Sequence, residues 1–284
     1  MVDVLVAGAA GNTGQPLMEE LHRAGASVRA MVRRPDDAVP GNPEKVVADF
    51  DDAGSVRTAL RGARRAYLVT PSSERAEERQ RSFVDAAREA GVERLVLLSQ
   101  LGAQVDSPVR FLRYHAAVEE HVRRSGIEFT FLRPNLYFQG LFAVAASIAE
   151  QGVLAAPIGN AVVSAVDVRD IAAVAAAALT QDAHRHAIYT ITGPRAITHA
   201  DMAGAIAEAT GKEVRFLDTA PDDFAAALRG VLPVWQVEGL LEDYAHYRRG
   251  EASEVTHVVE EVAGRHAIRF EQFANDYADR FTRT

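Results

Sequence analysis

Gly8, Gly11 and Gly14 recur every third residue in Val4-Leu5-Val6-Ala7-Gly8-Ala9-Ala10-Gly11-Asn12-Thr13-Gly14. An apolar run leads into them, and a helical pattern through Leu17, Met18 and Leu21 follows. Each glycine has a physical job. Gly8 permits a tight turn, Gly11 lets the backbone approach a pyrophosphate, and Gly14 lets the new helix pack on its strand. The amides of Asn12 and Thr13 then point at phosphate from a helix N-terminus, where the helix dipole favours negative charge. Glycine turns have plainer uses, but between a strand and a helix this spacing implies dinucleotide binding.

The next strand reads Ser27-Val28-Arg29-Ala30-Met31-Val32-Arg33-Arg34-Pro35. Dinucleotide domains that prefer NAD place an acidic residue at this strand end, to take the ribose hydroxyls. Arg33 and Arg34 stand there instead, and guanidinium suits a 2′-phosphate through bidentate, charge-assisted hydrogen bonds. A solvated basic turn is the plainer alternative. With the glycine turn upstream, the pair points to NADPH, with NADH bound more weakly.

These residues need a scaffold, and the sequence patterning supplies one. Strands are expected at 2–7, 27–32, 45–48, 66–70, 94–99 and 127–132, and helices at 14–24, 53–61, 74–90 and 110–125. Gly25, Gly62, Gly91 and Gly126 each follow a helix, as C-terminal capping requires. Such alternation implies a doubly wound parallel α/β sheet (Rossmann) with both faces covered. After Pro134 the pattern changes: helices at 141–151 and 170–180 and strands at 162–166 and 187–191, then helices at 198–210, 221–229, 235–249 and 270–281 with a strand near 213–217. We expect a cofactor-binding core over residues 1–155, with later sheet elements at 161–192, and a smaller substrate lobe over 193–284 closing on the strand ends.

Composition narrows the function. The 284 residues are 48% hydrophobic and 25% charged, as in an ordinary globular protein. A net charge of -8 without a basic stripe argues against nucleic-acid binding. Cysteine is absent, which removes disulfides and thiolate chemistry. The apolar stretch Leu141 to Ala149 is too short to span a bilayer, and a strand from residue 2 leads us to expect no signal peptide and a cytoplasmic protein. Monomer and homodimer both stay open.

Four segments in order carry a resemblance: the glycine turn 8–14, Arg94-Leu95-Val96-Leu97-Leu98-Ser99, Ser125-Gly126-Ile127-Glu128-Phe129-Thr130-Phe131-Leu132-Arg133-Pro134-Asn135, and Val166-Asp167-Val168-Arg169-Asp170-Ile171-Ala172. With Tyr189-Thr190-Ile191-Thr192-Gly193-Pro194 they span residues 4–195, and the chain resembles the NmrA-like branch of the atypical short-chain dehydrogenases. The resemblance implies an NADP-binding Rossmann domain with a small C-terminal lobe. It places Asp49 and Phe50 at the adenine and Thr70 and Pro71 near the nicotinamide ribose. The family's activities are diverse, with quinone, enone, imine and ketone reductases beside non-catalytic redox sensors.

Hydride transfer to a carbonyl needs a stabilised oxyanion and a proton. The Tyr-x-x-x-Lys pair of archetypal short-chain dehydrogenases is missing, because Val118 follows Tyr114 four residues on. Ser99 ends the fifth strand and reads either as a crevice donor or as a loop cap. His115, in the first turn of the next helix, occupies a position where relatives carry lysine or histidine, and reads as a proton donor with a pKa near ~6.5 or as a packing group. Tyr114 is an aromatic lid or a packing residue, and Tyr137 follows Leu-Arg-Pro and lines the pocket or the core. No metal site is expected: His184 and His186 lack zinc spacing, and Asp167 and Asp170 suit a helix start. A Gly-x-Ser-x-Gly elbow is absent, which removes a serine hydrolase.

Two functions fit. One is an NADPH-dependent reductase of a ketone, quinone or conjugated carbonyl, with a polycyclic aromatic, polyketide-like substrate. Phe216, Phe224, Leu228, Leu232, Trp235, Leu240, Leu241, Tyr244 and Tyr247 are apolar material to cover such a molecule. The alternative is a non-catalytic NADP-binding sensor that regulates a protein partner.

Overall fold

The computed structural model describes residues 3–282; Val2, the first residue of an expected strand that has a hydrophobic side chain, lies outside them together with Met1. Apolar runs and amphipathic helices alternate as β1 (Val4–Val6), α1 (Gly14–Arg23), β2 (Val28–Val32), β3 (Glu44–Val47), α2 (Ala53–Leu60), β4 (Arg65–Leu68), α3 (Ala76–Glu89), β5 (Arg94–Leu98), α4 (Arg110–Ser125) and β6 (Glu128–Pro134). A short 3-10 segment, Phe138–Val144, leads into α5 (Ala145–Gln151), β7 (Val153–Ala156), β8 (Val162–Val163), α6 (Val168–Thr180) and β9 (Ala187–Ile191). The chain continues through β10 (Ile197–Thr198), α7 (His199–Thr210), β11 (Arg215–Asp218), α8 (Pro221–Leu228), α9 (Val234–Arg248), α10 (Val258–Ala263) and α11 (Phe270–Asp276).

Seven strands form the central sheet in the order β3-β2-β1-β4-β5-β6-β9, all parallel. This is a doubly wound Rossmann-type sheet. Its order reverses between β1 and β4, so a crevice opens at the carboxyl ends of those strands. Leu17, Met18 and Leu21 of α1 with Ile171, Val174 and Leu179 of α6 cover one face. Val56 and Leu60 of α2, Phe83 and Val84 of α3 and Val118 and Val122 of α4 cover the other.

A second core joins Phe138, Leu141, Ile148 and Leu154 to Met202, Ile206, Phe224, Leu228, Tyr244 and Phe273. Residues 136–165 therefore pack with the C-terminal helices, while Val259 of α10 packs back on the α1–α6 face. The strand expected over 162–166 shrinks to β8, which leaves the central sheet and pairs antiparallel with β10. The strand expected near 213–217 is β11, paired in parallel with β7. β7 was not anticipated, because its Val-Leu-Ala-Ala run reads like the end of the preceding helix; Gly152, at φ +62°, breaks that helix.

Candidate functional site

The glycine turn sits at the switch point. Gly8 holds φ +70°, a conformation L side chains avoid, and a Cβ there would meet Val69 Cγ1 at 2.7 Å. A Cβ on Gly14 would lie 2.1 Å from the Gly8 carbonyl oxygen and 2.8 Å from Ala9 Cα, so only glycine lets α1 start this close to β1. The Gly11 amide donates to Gly8 O at 2.9 Å, whereas those of Asn12 and Thr13 make no backbone hydrogen bond. α1 has no side-chain cap and no acidic residue in its first turn, which leaves its positive end open to an anion. The Tyr67 hydroxyl, from β4, donates to Thr13 Oγ1 at 3.4 Å beneath this turn.

At the end of β2 the two arginines differ. Arg34 lays Nε and Nη2 on Asp37 Oδ1 at 3.0 and 2.9 Å, while Asp37 Oδ2 accepts the amides of Arg33 and Arg34 at 3.2 and 3.1 Å. Those bonds hold the Asp37 carboxyl below its ordinary range. The exposed Arg33 guanidinium makes no hydrogen bond or ion pair among the described residues. Asp49 accepts the Asp51 amide at 2.9 Å in a turn, and half-buried Phe50 lies against Phe83 with ring centroids 6.0 Å apart. Thr70 Oγ1 accepts from Gln80 Nε2 at 2.8 Å, which fixes the β4 end, and Pro71 is exposed.

The candidate proton donors fare unequally. Ser99 is buried, and its hydroxyl donates to Glu119 Oε1 at 2.7 Å. Glu119 also accepts Arg133 Nε and Nη2, at 2.8 and 2.6 Å, and Arg123 Nη2 at 3.2 Å. The Ser99 hydroxyl is thus engaged by a carboxylate on α4, a partner that neither the crevice-donor nor the loop-cap reading anticipated. His115 is buried as well, its Nδ1 without a partner. Burial, reinforced by the Arg133 charge, pushes its pKa down to about 3. A proton donor with an ordinary histidine pKa is therefore not what the fold makes; at neutral pH the ring is uncharged.

Tyr114 and Tyr137 come together. Burial raises the Tyr137 hydroxyl above its ordinary pKa, and the neighbouring Tyr67 and Tyr114 phenols act the same way. Tyr114 packs against the His115 ring, tilted by 33° with centroids 4.1 Å apart, and its pKa is raised by burial, a hydrogen bond with Ser72 opposing the shift. Tyr247 of α9 joins them, raised by burial and then by Asp243, Tyr244 and Tyr137. Burial thus keeps all three phenols protonated at neutral pH, and of the three Tyr137 lines the cavity beside it.

Beside Tyr137 opens an apolar cavity of about 70 Å³. Leu136, Leu141, Phe224, Leu228, Leu240 and Tyr244 are among its walls, and no charged side chain lines it. Of the nine residues anticipated as substrate-facing material, Phe224, Leu228, Leu232, Leu240 and Tyr244 line it, whereas Phe216, Trp235, Leu241 and Tyr247 do not. Sequence reasoning missed Asp243, buried at 4% exposure, whose two oxygens accept Gln100 Nε2 at 3.1 and 3.2 Å. The signal was present: Leu240, Asp243, Tyr244 and Tyr247 follow i, i+3, i+4, i+7, one acid on an otherwise apolar helix face. Asp167, by contrast, caps α6 through the Arg169 amide at 2.9 Å, as its position suggested.

Sheet order, glycine turn and open helix end together define a dinucleotide-binding α/β protein. The chain belongs to the NmrA-like family, whose sequence profile matches residues 2–272. It is 33% identical to an NAD(P)H azoreductase of Xenophilus azovorans, over 98% of this chain and 99% of that protein. It is 34% identical to a (4-alkanoyl-5-oxo-2,5-dihydrofuran-3-yl)methyl phosphate reductase of Streptomyces griseus subsp. griseus, over 98% of this chain and 99% of the relative. Among solved structures, the NADPH-dependent quinone oxidoreductase of Escherichia coli in complex with NADPH superposes with a TM-score of 0.87 at 25% identity, covering 96% of this chain and 99% of that one.

Proposed function

We propose that this NAD(P)H-dependent reductase acts on a neutral, flat, largely apolar acceptor, an aromatic quinone or ketone. The observation that carries the reading is the cavity beside Tyr137, which has apolar walls, phenol donors and no charged side chain. The cofactor half fits the residues present. The turn is built so closely that a Cβ at Gly14 would overlap backbone, and the amides of Asn12 and Thr13 are free to hold a diphosphate. The Arg33 guanidinium, unpaired among the described residues, would take the 2′-phosphate, and Phe50 and Thr70 would border the adenine and the nicotinamide ribose. When bound, NADPH supplies hydride.

The rest is the work of side chains. The phenols of Tyr137 and Tyr244, both in the cavity wall, would orient the carbonyl and offer hydrogen bonds to the oxygen as it gains charge. Phe224, Leu228 and Leu240 exclude water. The unfilled volume, about 70 Å³, is below the ~150 Å³ that holds benzene, so an aromatic ring must spread the α8–α9 wall at Leu228 and Leu232. A fused-ring, polyketide-like substrate requires a wider opening still.

NADPH consumption by the pure protein tests the reading with a 1,4-naphthoquinone, an aromatic ketone, a neutral azo dye and a phosphorylated furanone. Neutral aromatic acceptors should turn over fastest, since a phosphate ester would bury charge against uncharged walls. Preference for the phosphate ester would overturn the substrate assignment.

A further inference from the structure

The link between α8 and α9 forms part of the walls of two cavities. Leu232 lines the cavity beside Tyr137, and the next three residues, Pro233 to Trp235, line a second, open groove of about 340 Å³. Its opposite wall is the start of α3, with Ser73, Glu74, Arg75 and Arg79. Ser73 stands three residues after Thr70, and Ser72 between them is hydrogen-bonded to Tyr114. The groove therefore adjoins the turn after β4, which is proposed to border the nicotinamide ribose.

The cations in its wall are already engaged. Arg79 lays Nε and Nη2 on the Asp51 carboxylate at 2.9 and 2.6 Å, and its Nη1 donates to Ser73 Oγ at 3.2 Å. Arg75 lays Nε and Nη2 on the Glu78 carboxylate at 3.0 Å each, and its Nη1 lies 3.0 Å from Asp51 Oδ1. All three nitrogens of each guanidinium thus have a protein partner, and exposed Glu74 adds negative charge to the same wall. An anion gains little there. Fixed guanidinium groups still offer their flat faces, which stack on aromatic rings. Across the groove is Trp235, the one tryptophan of the chain. Its indole is held by α4, with the Phe111 ring 5.2 Å away and the Arg110 guanidinium 5.7 Å from its centre.

We propose that the groove between Trp235 and the paired Arg75 and Arg79 is a second acceptor subsite, which stacks a neutral outer aromatic ring while the reacting ring enters the cavity beside Tyr137. The inference rests on the NADPH-dependent reductase reading. Volume and connection support it. The inner cavity, at about 70 Å³, takes a ring only if the wall at Leu232 spreads, whereas the groove exceeds the ~150 Å³ that holds benzene. Because Leu232 and the groove residues are consecutive, the movement that admits a ring also opens the inner cavity toward the groove.

1,4-Benzoquinone and 2-phenyl-1,4-benzoquinone share a reacting ring and differ in the outer one. With NADPH, the wild-type protein should favour the phenyl compound about tenfold in kcat/KM, through KM. Trp235→Leu should abolish that preference, and Trp235→Phe should keep most of it. Trp235 also packs on α4, so Val234→Tyr is the second variant. Val234 is 72% exposed, which lets it be enlarged without disturbing a core, and the added ring should fill the groove and remove the same preference. A wild-type protein without the preference, or a preference that survives either Trp235→Leu or Val234→Tyr, overturns the proposal. If Trp235→Leu does not fold, Val234→Tyr alone decides. A carboxylate on the outer ring should lower kcat/KM; a rise would show that the arginines bind anions and would overturn the neutral-ring assignment. Calorimetry should find NADPH affinity unchanged in Val234→Tyr, and a loss as large as that for the phenyl compound would give the groove to the cofactor instead. If no acceptor oxidises NADPH, the reductase reading fails by itself, while calorimetric titration of both quinones into the protein with NADP+ still reads the groove.

Discussion

Replacing Arg33 by alanine should cost the protein its preference for NADPH, and replacing Arg34 should not. Both arginines stand at the end of β2, but Asp37 has claimed only one of them: Arg34 is fixed on its carboxylate while the Arg33 guanidinium is free. A charge-assisted hydrogen bond to a phosphate dianion is worth about 1.5–3 kcal/mol where it is shielded. Arg33 is exposed, so water and salt screen the contact toward the lower end, and the expected loss of NADPH affinity is about tenfold. NADH affinity should stay the same, because NADH has no 2′-phosphate.

Arg34→Ala should weaken NADPH less, since it deletes a side chain already engaged by Asp37. Asp37→Ala should strengthen NADPH by freeing a second guanidinium. Calorimetric titration of both cofactors at low and moderate salt reads all three variants, and the Arg33 effect should shrink as salt rises. If Arg34→Ala collapses the preference while Arg33→Ala leaves it intact, the division of labour drawn from Asp37 is wrong.

Gly14→Ala should destabilise the fold by about 1–3 kcal/mol and weaken NADPH binding, because its Cβ would meet the Gly8 carbonyl oxygen at 2.1 Å; thermal unfolding and calorimetry check it. Glu119→Gln should cost stability toward the lower end of about 3–5 kcal/mol, since Arg133 and Arg123 keep some solvent contact, while Ser99→Ala should cost about 1 kcal/mol and leave kcat alone. Buried His199 has no partner on either ring nitrogen, and burial lowers its pKa from 6.5 to about 4. The unfolded chain then binds more protons than the fold between those values, so stability falls as pH drops from about 6.5 toward 4, by roughly 3 kcal/mol at this residue. Urea midpoints across that range should show a shallower acid limb in His199→Leu than in the wild type.

What was legible in the sequence was what the backbone itself demands. The turn at 8–14 needs glycine for reasons confined to a few neighbouring residues, so spacing alone located it. Strand–helix alternation likewise located β1 to β6 and implied that they run parallel, because a crossover must carry the chain back across a sheet face, but it did not order them within the sheet. The functional groups were harder to read, since their roles depend on residues far along the chain. Ser99 ends a strand at the crevice, yet its hydroxyl donates its hydrogen bond to Glu119, twenty positions on. His115 lost its ordinary pKa to burial and to Arg133, neither visible from helical spacing. Asp243 meets Gln100 across 143 positions, and only the periodicity of α9 hinted at it. Short elements were lost for a different reason: α10 spans six residues, too few to establish a period.

The same contrast explains how one fold can keep its cofactor and change its reaction. Everything proposed to hold NADPH belongs to β1, β2, β3, β4 and the turns after them, whereas the cavity depends on where α9 lies. Two features set that position. Gly239 lets α9 approach so closely that a Cβ there would fall 2.2 Å from the Phe111 ring of α4. Arg110, also on α4, clamps Glu238 and Glu242 at 2.8 and 2.7 Å and lies over the Trp235 ring at 5.7 Å. These anchors stand on both sides of Leu240, and the Glu242 clamp adjoins Asp243. The α4–α9 seam, not the glycine turn, therefore sets where Leu240 and Tyr244 stand in the cavity wall. Sequence changes along it can retune the acceptor while the cofactor site stays as it is.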